Sequence, residues 1–344
     1  MKTDSLSRLR VEDLHSENLQ MARCLKLARL AASSDVPVLV FGETGTGKTL
    51  LAQAIHNSSS RARGPFVSFN ASVMSDTLLE SQLFGHERGA FTGAQRRVRG
   101  KFELAHSGTL FFDEIADMSP LAQAKVLRAV EYGEFERLGG ERILQSNARV
   151  ISATNCSLRE RIRQGRFRED LYQRLKGLTL FIPPLRERVE ELPALIAYEL
   201  RAAAEEAGKR ITSLHPAAMD RFLSYDWPGN LRELNHTLRT VVLFCDGEVV
   251  LPEHVVFETD FRIQGGTRPE EPSGPALSPD ASAPRRARSP GDAEDGEGLS
   301  LAGAVSKHVR AVYDRAGGNQ RLTARLLGIS RAALSRHLRK SGLK

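Results

Sequence analysis

The run Pro37-Val38-Leu39-Val40-Phe41 leads straight into Gly42-Glu43-Thr44-Gly45-Thr46-Gly47-Lys48-Thr49, after which residues 50–56 read as a helix. This strand, loop and helix constrain the fold more than any other feature of the chain. Glycines at 42, 45 and 47 let backbone N–H groups converge on phosphate oxygens where side chains would obstruct them. The helix that follows turns its positive end toward the same anion. In such a loop Lys48 meets the β and γ phosphates and Thr49 offers a hydroxyl to Mg²⁺, so ATP with Mg²⁺ is the expected cofactor. A glycine-rich turn arising by chance would need neither the strand before it nor the helix after it.

A strand that feeds a helix needs parallel neighbours. Short apolar runs recur at 38–41, 66–69, 109–112, 150–153 and 178–182. They are continuous rather than alternating, as expected of strands covered by helices on both faces. The fold class is therefore α/β, a phosphate-loop nucleotidase with a largely parallel sheet. From 188 to 256 no strand run competes, and Leu192, Leu195, Ile196 and Leu200 predict a smaller helical subdomain. Upstream, Leu14, Met21, Leu25 and Ala28 recur at helical spacing, with Ser16 as the expected cap. The expected domains are a tail over 1–13, an α/β ATPase subdomain over 14–187, a helical lid over 188–262, a linker over 263–299 and a small all-α domain over 300–344. The linker is built from Pro, Gly, Ser, Ala and charged residues, and cannot bury enough apolar surface to fold.

Charge marks out the C-terminal segment. The chain carries +7 overall, yet residues 300–344 hold ten Lys or Arg against a single acid, Asp314, so the remainder is slightly acidic. A basic excess confined to one small segment points to a polyanion. Within it, Ala324-Arg325-Leu326-Leu327-Gly328-Ile329-Ser330-Arg331-Ala332-Ala333-Leu334 reads as a helix, a turn at Gly328 and a second helix capped by Ser330. Helices are expected over 301–316, 321–327 and 331–340, with Ala324, Leu327, Ile329, Leu334 and Leu338 as the small core. Arg331, Ser335 and Arg336 would then face base edges or phosphates, and Arg339 and Lys340 the DNA backbone. A basic hairpin that binds protein is the alternative. Cys24, Cys156 and Cys245 match no metal or redox spacing. Neither a signal core nor a bilayer-length apolar run is present, so a cytoplasmic protein without membrane contact is expected.

Downstream of the phosphate loop, Asp113-Glu114 follow Leu110-Phe111-Phe112 at the end of an expected central strand. There Asp113 would hold Mg²⁺ through its water shell and Glu114 would polarise the attacking water. Between loop and acids lies Gly89-Ala90-Phe91-Thr92-Gly93-Ala94, an aromatic flanked by small residues. By itself this hexapeptide is compatible with a tip that reaches a partner or with a surface turn that tucks its phenylalanine inward.

Together these three motifs resemble the bacterial enhancer-binding proteins, AAA+ ATPases that use the hexapeptide to remodel RNA polymerase carrying sigma-54. The resemblance covers about 14–256, and the C-terminal end resembles a Fis-type helix-turn-helix. It implies an AAA+ ring of six or seven subunits, bound to upstream enhancer DNA, that converts the closed complex of sigma-54 holoenzyme to an open one. It further implies roles for single residues. Asn70 would sense the γ-phosphate and restrain Glu114, and Asn155 would be the first sensor. Arg168 and Arg174 would reach into the neighbouring subunit's site, and Arg232, in Trp227-Pro228-Gly229-Asn230-Leu231-Arg232, would be the second sensor. Phe91 and Thr92 would touch sigma-54 when nucleotide raises their loop, and a second loop over 131–140 would move with it. Thr49 stands where many relatives have Glu, and Ala71 where many have Cys. A DNA-binding regulator whose ATPase controls oligomerisation, and an AAA+ machine of another kind, remain as alternatives. Residues 1–13 cannot form a sensor domain, so control is expected from expression level or from a separate regulatory protein.

Overall fold

Five parallel strands form the central sheet: β1 Val38–Phe41, β2 Phe66–Asn70, β3 Thr109–Asp113, β4 Arg149–Thr154 and β5 Leu178–Phe181. Their order is β2-β3-β4-β1-β5. The computed structural model describes residues 8–72 and 75–257, together with Tyr313, Gln320, Thr323 and Leu334, each of which is helical. All five expected strands are present. All six residues of β4, in the middle of the sheet, are buried, which is why the run carries no polar alternation.

Helices cover both faces. Val38, Val40, Phe111, Ile151, Ala153 and Leu180 pack with Leu25, Ala28, Leu51 and Ile55, which lie on α1 Leu19–Ala32 and α2 Lys48–Asn57. Leu39, Phe69, Leu110, Phe112 and Val150 point the other way, toward Leu79, Leu83, Val126 and Leu171. Those residues sit on α3 Asp76–Phe84, α4 Pro120–Tyr132 and, after the short α5 Leu158–Arg163, α6 Glu169–Leu175. A third apolar cluster lies wholly within Leu185 to Phe257 and belongs to α7 Leu192–Ala207, α8 Pro216–Leu223 and α9 Asn230–Phe244. Its largest member, Trp227, is fully buried and donates its indole N–H to the Phe222 carbonyl at 3.0 Å.

Several expectations need correction. Asn18, not Ser16, caps α1: its Oδ1 accepts the Gln20 and Met21 N–H groups, each at 3.1 Å, while Ser16 Oγ accepts from Asn18 N. The stretch assigned to a tail is docked from Leu9 on. Val11 is fully buried and its N–H donates to Ser58 Oγ, but one apolar residue among charges leaves no periodic trace. The helical subdomain also contains a parallel two-residue pair, Ser213–Leu214 with Val249–Val250, too short to register as a strand run.

The linker and most of the C-terminal segment lie outside the described residues, including Arg331, Ser335, Arg336, Arg339 and Lys340. Tyr313, Thr323 and Leu334 fall within the three helices expected there, and Leu334, expected in the small core, is buried. The chain divides into two units, Met1–Gly266 and Thr267–Lys344. Among the described residues no helix is long and apolar enough to cross a membrane.

Candidate functional site

In a parallel sheet every strand ends at the same edge, and that edge is where open α/β sheets bind ligands. Here β1 runs into Gly42, Asp113 closes β3, and Asn155 follows β4. Asn70 at the end of β2 stands in register with Asp113. The phosphate loop therefore faces the acidic pair across the sheet. Lys48 is buried; its Nζ donates to the carbonyls of Gly42 at 2.9 Å and Glu43 at 3.2 Å and pairs with Glu114 Oε1 at 3.2 Å. Glu114 adopts a left-handed backbone, φ 52°, an uncommon conformation for a non-glycine residue. Its other oxygen accepts the Asn155 N–H at 3.1 Å, and Asn155 Nδ2 donates to Thr44 Oγ1 at 3.1 Å. The expected general base, first sensor and phosphate loop are thus joined in one network.

Asn70 Oδ1 accepts the Ser72 N–H at 2.8 Å, while the contacts to the Glu114 carboxylate come from Lys48 and from the Asn155 N–H. Thr49 lies on the first turn of α2 with its side chain exposed, and Asp113 is partly exposed. Glu43, expected to serve the nucleotide, aims its carboxylate at Arg186, with hydrogen bonds of 2.6 and 2.9 Å, and at Asn230. Those hydrogen bonds lower the Glu43 carboxyl below the ordinary carboxylate range against the opposing pull of burial.

The helical subdomain reaches the site directly. Gly45 has φ 82°, and a Cβ there would lie 2.2 Å from the Gly229 carbonyl oxygen and 3.2 Å from Arg232 Cβ. Only glycine fits so close a crossing. Arg232 is consequently rooted beside the phosphate loop, with its side chain exposed. Trp227 and Asn230 both have φ 52°, and this pair of left-handed residues shapes the crossing loop. Arg168 and Arg174 lie elsewhere on the surface: Arg168 forms a two-bond pair with Asp170 at 3.0 and 2.7 Å, and Arg174 donates to the Glu131 carbonyl.

The hexapeptide is carried by an insertion between α3 and the one-turn helix Lys101–Leu104. Gly85–His86 pairs antiparallel with Val98–Arg99 at its base. At the tip Gly89 N–H donates to the Ala94 carbonyl at 2.8 Å and Ala94 N–H to the Phe91 carbonyl at 3.0 Å. Thr92 is exposed, whereas the half-buried Phe91 ring meets His86 edge-on at 5.0 Å. The second loop forms the hairpin Glu134–Glu136 with Ile143–Gln145. It is fastened to the first: Glu87 N–H donates to the Leu138 carbonyl and Leu138 N–H to the Gly85 carbonyl, both at 3.0 Å. A Cβ on Gly139 would lie 2.8 Å from Ala90 Cβ. Arg137, almost fully buried, pairs with Glu87 at 2.8 Å and with Glu103. Burial pushes the Glu103 carboxyl up, but Arg137 and then Arg99 outweigh it and hold it below its ordinary range. This knot was not visible in the sequence, because its three charged members are scattered over fifty residues.

Comparison with known proteins agrees with both resemblances, that of the ATPase region and that of the C-terminal end. Residues 14–181 match the sigma-54 interaction domain, 186–271 an AAA+ ATPase lid domain, and 307–340 the Fis family of bacterial regulatory proteins. The transcriptional regulatory protein ZraR of Klebsiella oxytoca is 40% identical over 91% of this chain and 66% of its own. The Nif-specific regulatory protein of Klebsiella pneumoniae is 39% identical over 93% of this chain and 57% of its own. This chain thus spans about three fifths of the length of those curated relatives. The crystal structure of NtrX from Brucella abortus in complex with ATP superposes with a TM-score of 0.66 at 30% identity, over 99% of this chain and 71% of that one.

Proposed function

The chain belongs to the sigma-54 interaction family of AAA+ proteins, and from that membership we propose that it is a sigma-54-dependent transcriptional activator. It would bind upstream DNA through its C-terminal segment and use ATP hydrolysis in a ring of its own copies to open the promoter complex. The observation that carries this reading is the joining of Lys48, Glu114, Asn155 and Thr44 at one sheet edge, with Thr92 exposed on a separate loop of the same subunit. Engine and contact tip would then be distinct parts of one subunit.

At that edge the backbone N–H groups of the phosphate loop and the N-terminus of α2 would seat the phosphates, and Lys48 would turn from the loop carbonyls to the β and γ oxygens. Thr49 and Asp113 supply oxygen donors of the kind Mg²⁺ takes, and the ion would neutralise charge on the phosphates. Glu114 would take the proton of the attacking water, and Asn155 would report the phosphate loop's state to β4. Arg232 would face the phosphates from the lid. Arg168 and Arg174 would complete the site of a neighbouring subunit. Phe91 and Thr92 would meet sigma-54 once the hexapeptide loop leaves His86, a population shift driven by nucleotide state. The domain limits at 187, 262 and 299, the base contacts by Arg331, Ser335 and Arg336, the backbone contacts by Arg339 and Lys340, a cytoplasmic location and control by a separate protein belong to the same proposal.

The test is transcription in vitro from one promoter dependent on sigma-54 and one dependent on the main sigma factor, with and without ATP. Activation confined to the sigma-54 promoter with ATP supports the reading. Activation without ATP, or of the other promoter, overturns it.

A further inference from the structure

Asn230, which the activation scheme leaves without a task, is wholly buried in the crossing loop beside Arg232. Its Oδ1 accepts the Leu185 N–H at 2.7 Å. Its Nδ2 faces Glu43 Oε2 at 3.2 Å, the Thr44 carbonyl at 3.1 Å and, more weakly, the Pro228 carbonyl at 3.5 Å. One amide therefore ties together the phosphate loop, the turn Leu185–Glu187 that follows the sheet, and the start of α9. Arg186, on that turn, closes the arrangement by gripping both oxygens of Glu43. Thr44 continues the chain to Asn155 through its hydroxyl.

We propose that Asn230, together with Glu43 and Arg186, is a positioning strut that holds the lid loop on the phosphate loop and so sets Arg232 against the nucleotide phosphates. Glu43, although it lies inside the phosphate loop, serves the lid with its side chain. Three arguments support this. The Glu43 and Arg186 side chains are 41% and 42% exposed, and a pair that open contributes little to folding by itself. Asn230 is different: losing its amide would leave the buried Leu185 N–H unpaired. Finally, the Gly45 and Gly229 backbones touch, so movement of the phosphate loop must displace the loop that carries Arg232.

The inference rests on the reading of this edge as an ATP site, and the experiment separates the two. Full-length protein is titrated with fluorescent ADP in Mg²⁺, and steady-state ATP hydrolysis and thermal midpoints are measured alongside. Asn230→Asp keeps the shape but puts an oxygen where the N–H donor faced Glu43 and Thr44. It should raise Kd for ADP and KM for ATP by at least about tenfold, since both Nδ2 donations, to Glu43 and to the Thr44 carbonyl, are lost. Adding Glu43→Gln to it returns an N–H for Asp to accept and should recover about a third of the lost affinity on a logarithmic scale. If Asn230→Asp does not fold, the pair Glu43→Gln and Arg186→Gln replaces it: each should weaken ADP about threefold, and the double variant no more than either single. Wild-type affinity in Asn230→Asp, loss without recovery in the double, or additive losses in the second pair would overturn the strut. A wild-type chain that neither binds ADP nor hydrolyses ATP would overturn the nucleotide reading instead.

Discussion

Lys48 and Glu114 touch in this structure, yet they are expected to act on different atoms, phosphate for one and water for the other. Single substitutions separate those tasks. Lys48→Ala should abolish tight ATP binding, since the loop keeps its backbone donors but loses its own side-chain cation for the β and γ phosphates. Asp113→Ala should leave ADP binding nearly intact and reduce phosphate release about a hundredfold or more. Fluorescent ADP titration and a phosphate-release assay distinguish the two, and wild-type turnover in both variants would refute the assignment. Sequence motifs were sufficient to name Lys48, Asp113 and Glu114, because each follows a run that reads as a strand or a phosphate loop, whereas Asn155 was named through the family resemblance. Asn230 and Arg186 escaped, since nothing in a Pro-Gly-Asn or Leu-Arg-Glu tripeptide tells which distant carboxylate it will meet.

Among elements, the two inserted loops matter most. The hexapeptide loop has its own hydrogen-bonded base and tip, and Thr92 takes no part in the nucleotide network. Thr92→Ala should therefore retain most ATPase activity while losing activation of sigma-54 transcription, and activation that survives both it and Phe91→Ala would rule out the contact role. Arg137 fastens this loop to its neighbour, and Arg137→Ala would leave Glu87 to Arg97 and Glu103 to Arg99. A loss of about 2 kcal/mol is expected from the lost charge-assisted hydrogen bonds, read as a lower thermal midpoint. The sequence left the hexapeptide open between a tip and a surface turn, and the family resemblance implied only that a second loop over 131–140 moves with it. Their union depends on Leu138 lying beside Gly85 and Glu87, a pairing across more than fifty residues that no local pattern encodes.

For the whole molecule, Arg168 and Arg174 lie on the surface, paired or bonded locally rather than at their own subunit's phosphate loop. If they complete a neighbour's site, specific activity should rise with protein concentration. Mixing Arg168→Ala with Glu114→Ala protein should restore part of the hydrolysis in mixed rings, an arginine finger being worth roughly a thousandfold in turnover. No rescue at any ratio would count against shared sites. Ending the chain after Gly265 removes the basic segment and should abolish binding to the protein's DNA site while sparing ATPase activity. Equal affinity of both forms in a gel-shift titration would refute that division.

The sequence by itself determined the five strands, the parallel sheet and the edge at which chemistry gathers, because continuous apolar runs and a glycine loop between strand and helix admit few other arrangements. It also determined the family, through motifs whose spacing is fixed by that sheet. Tertiary structure alone decided the cap at Asn18, the docking of Val11, the turning of Glu43 toward Arg186, the contact of Glu114 with Lys48, and the knot at Arg137. Each of these is a polar or single-residue contact between distant segments. Burial periodicity is a property of neighbours along the chain, whereas hydrogen bonds and ion pairs of this kind exist only once packing has brought their partners within about 3 Å.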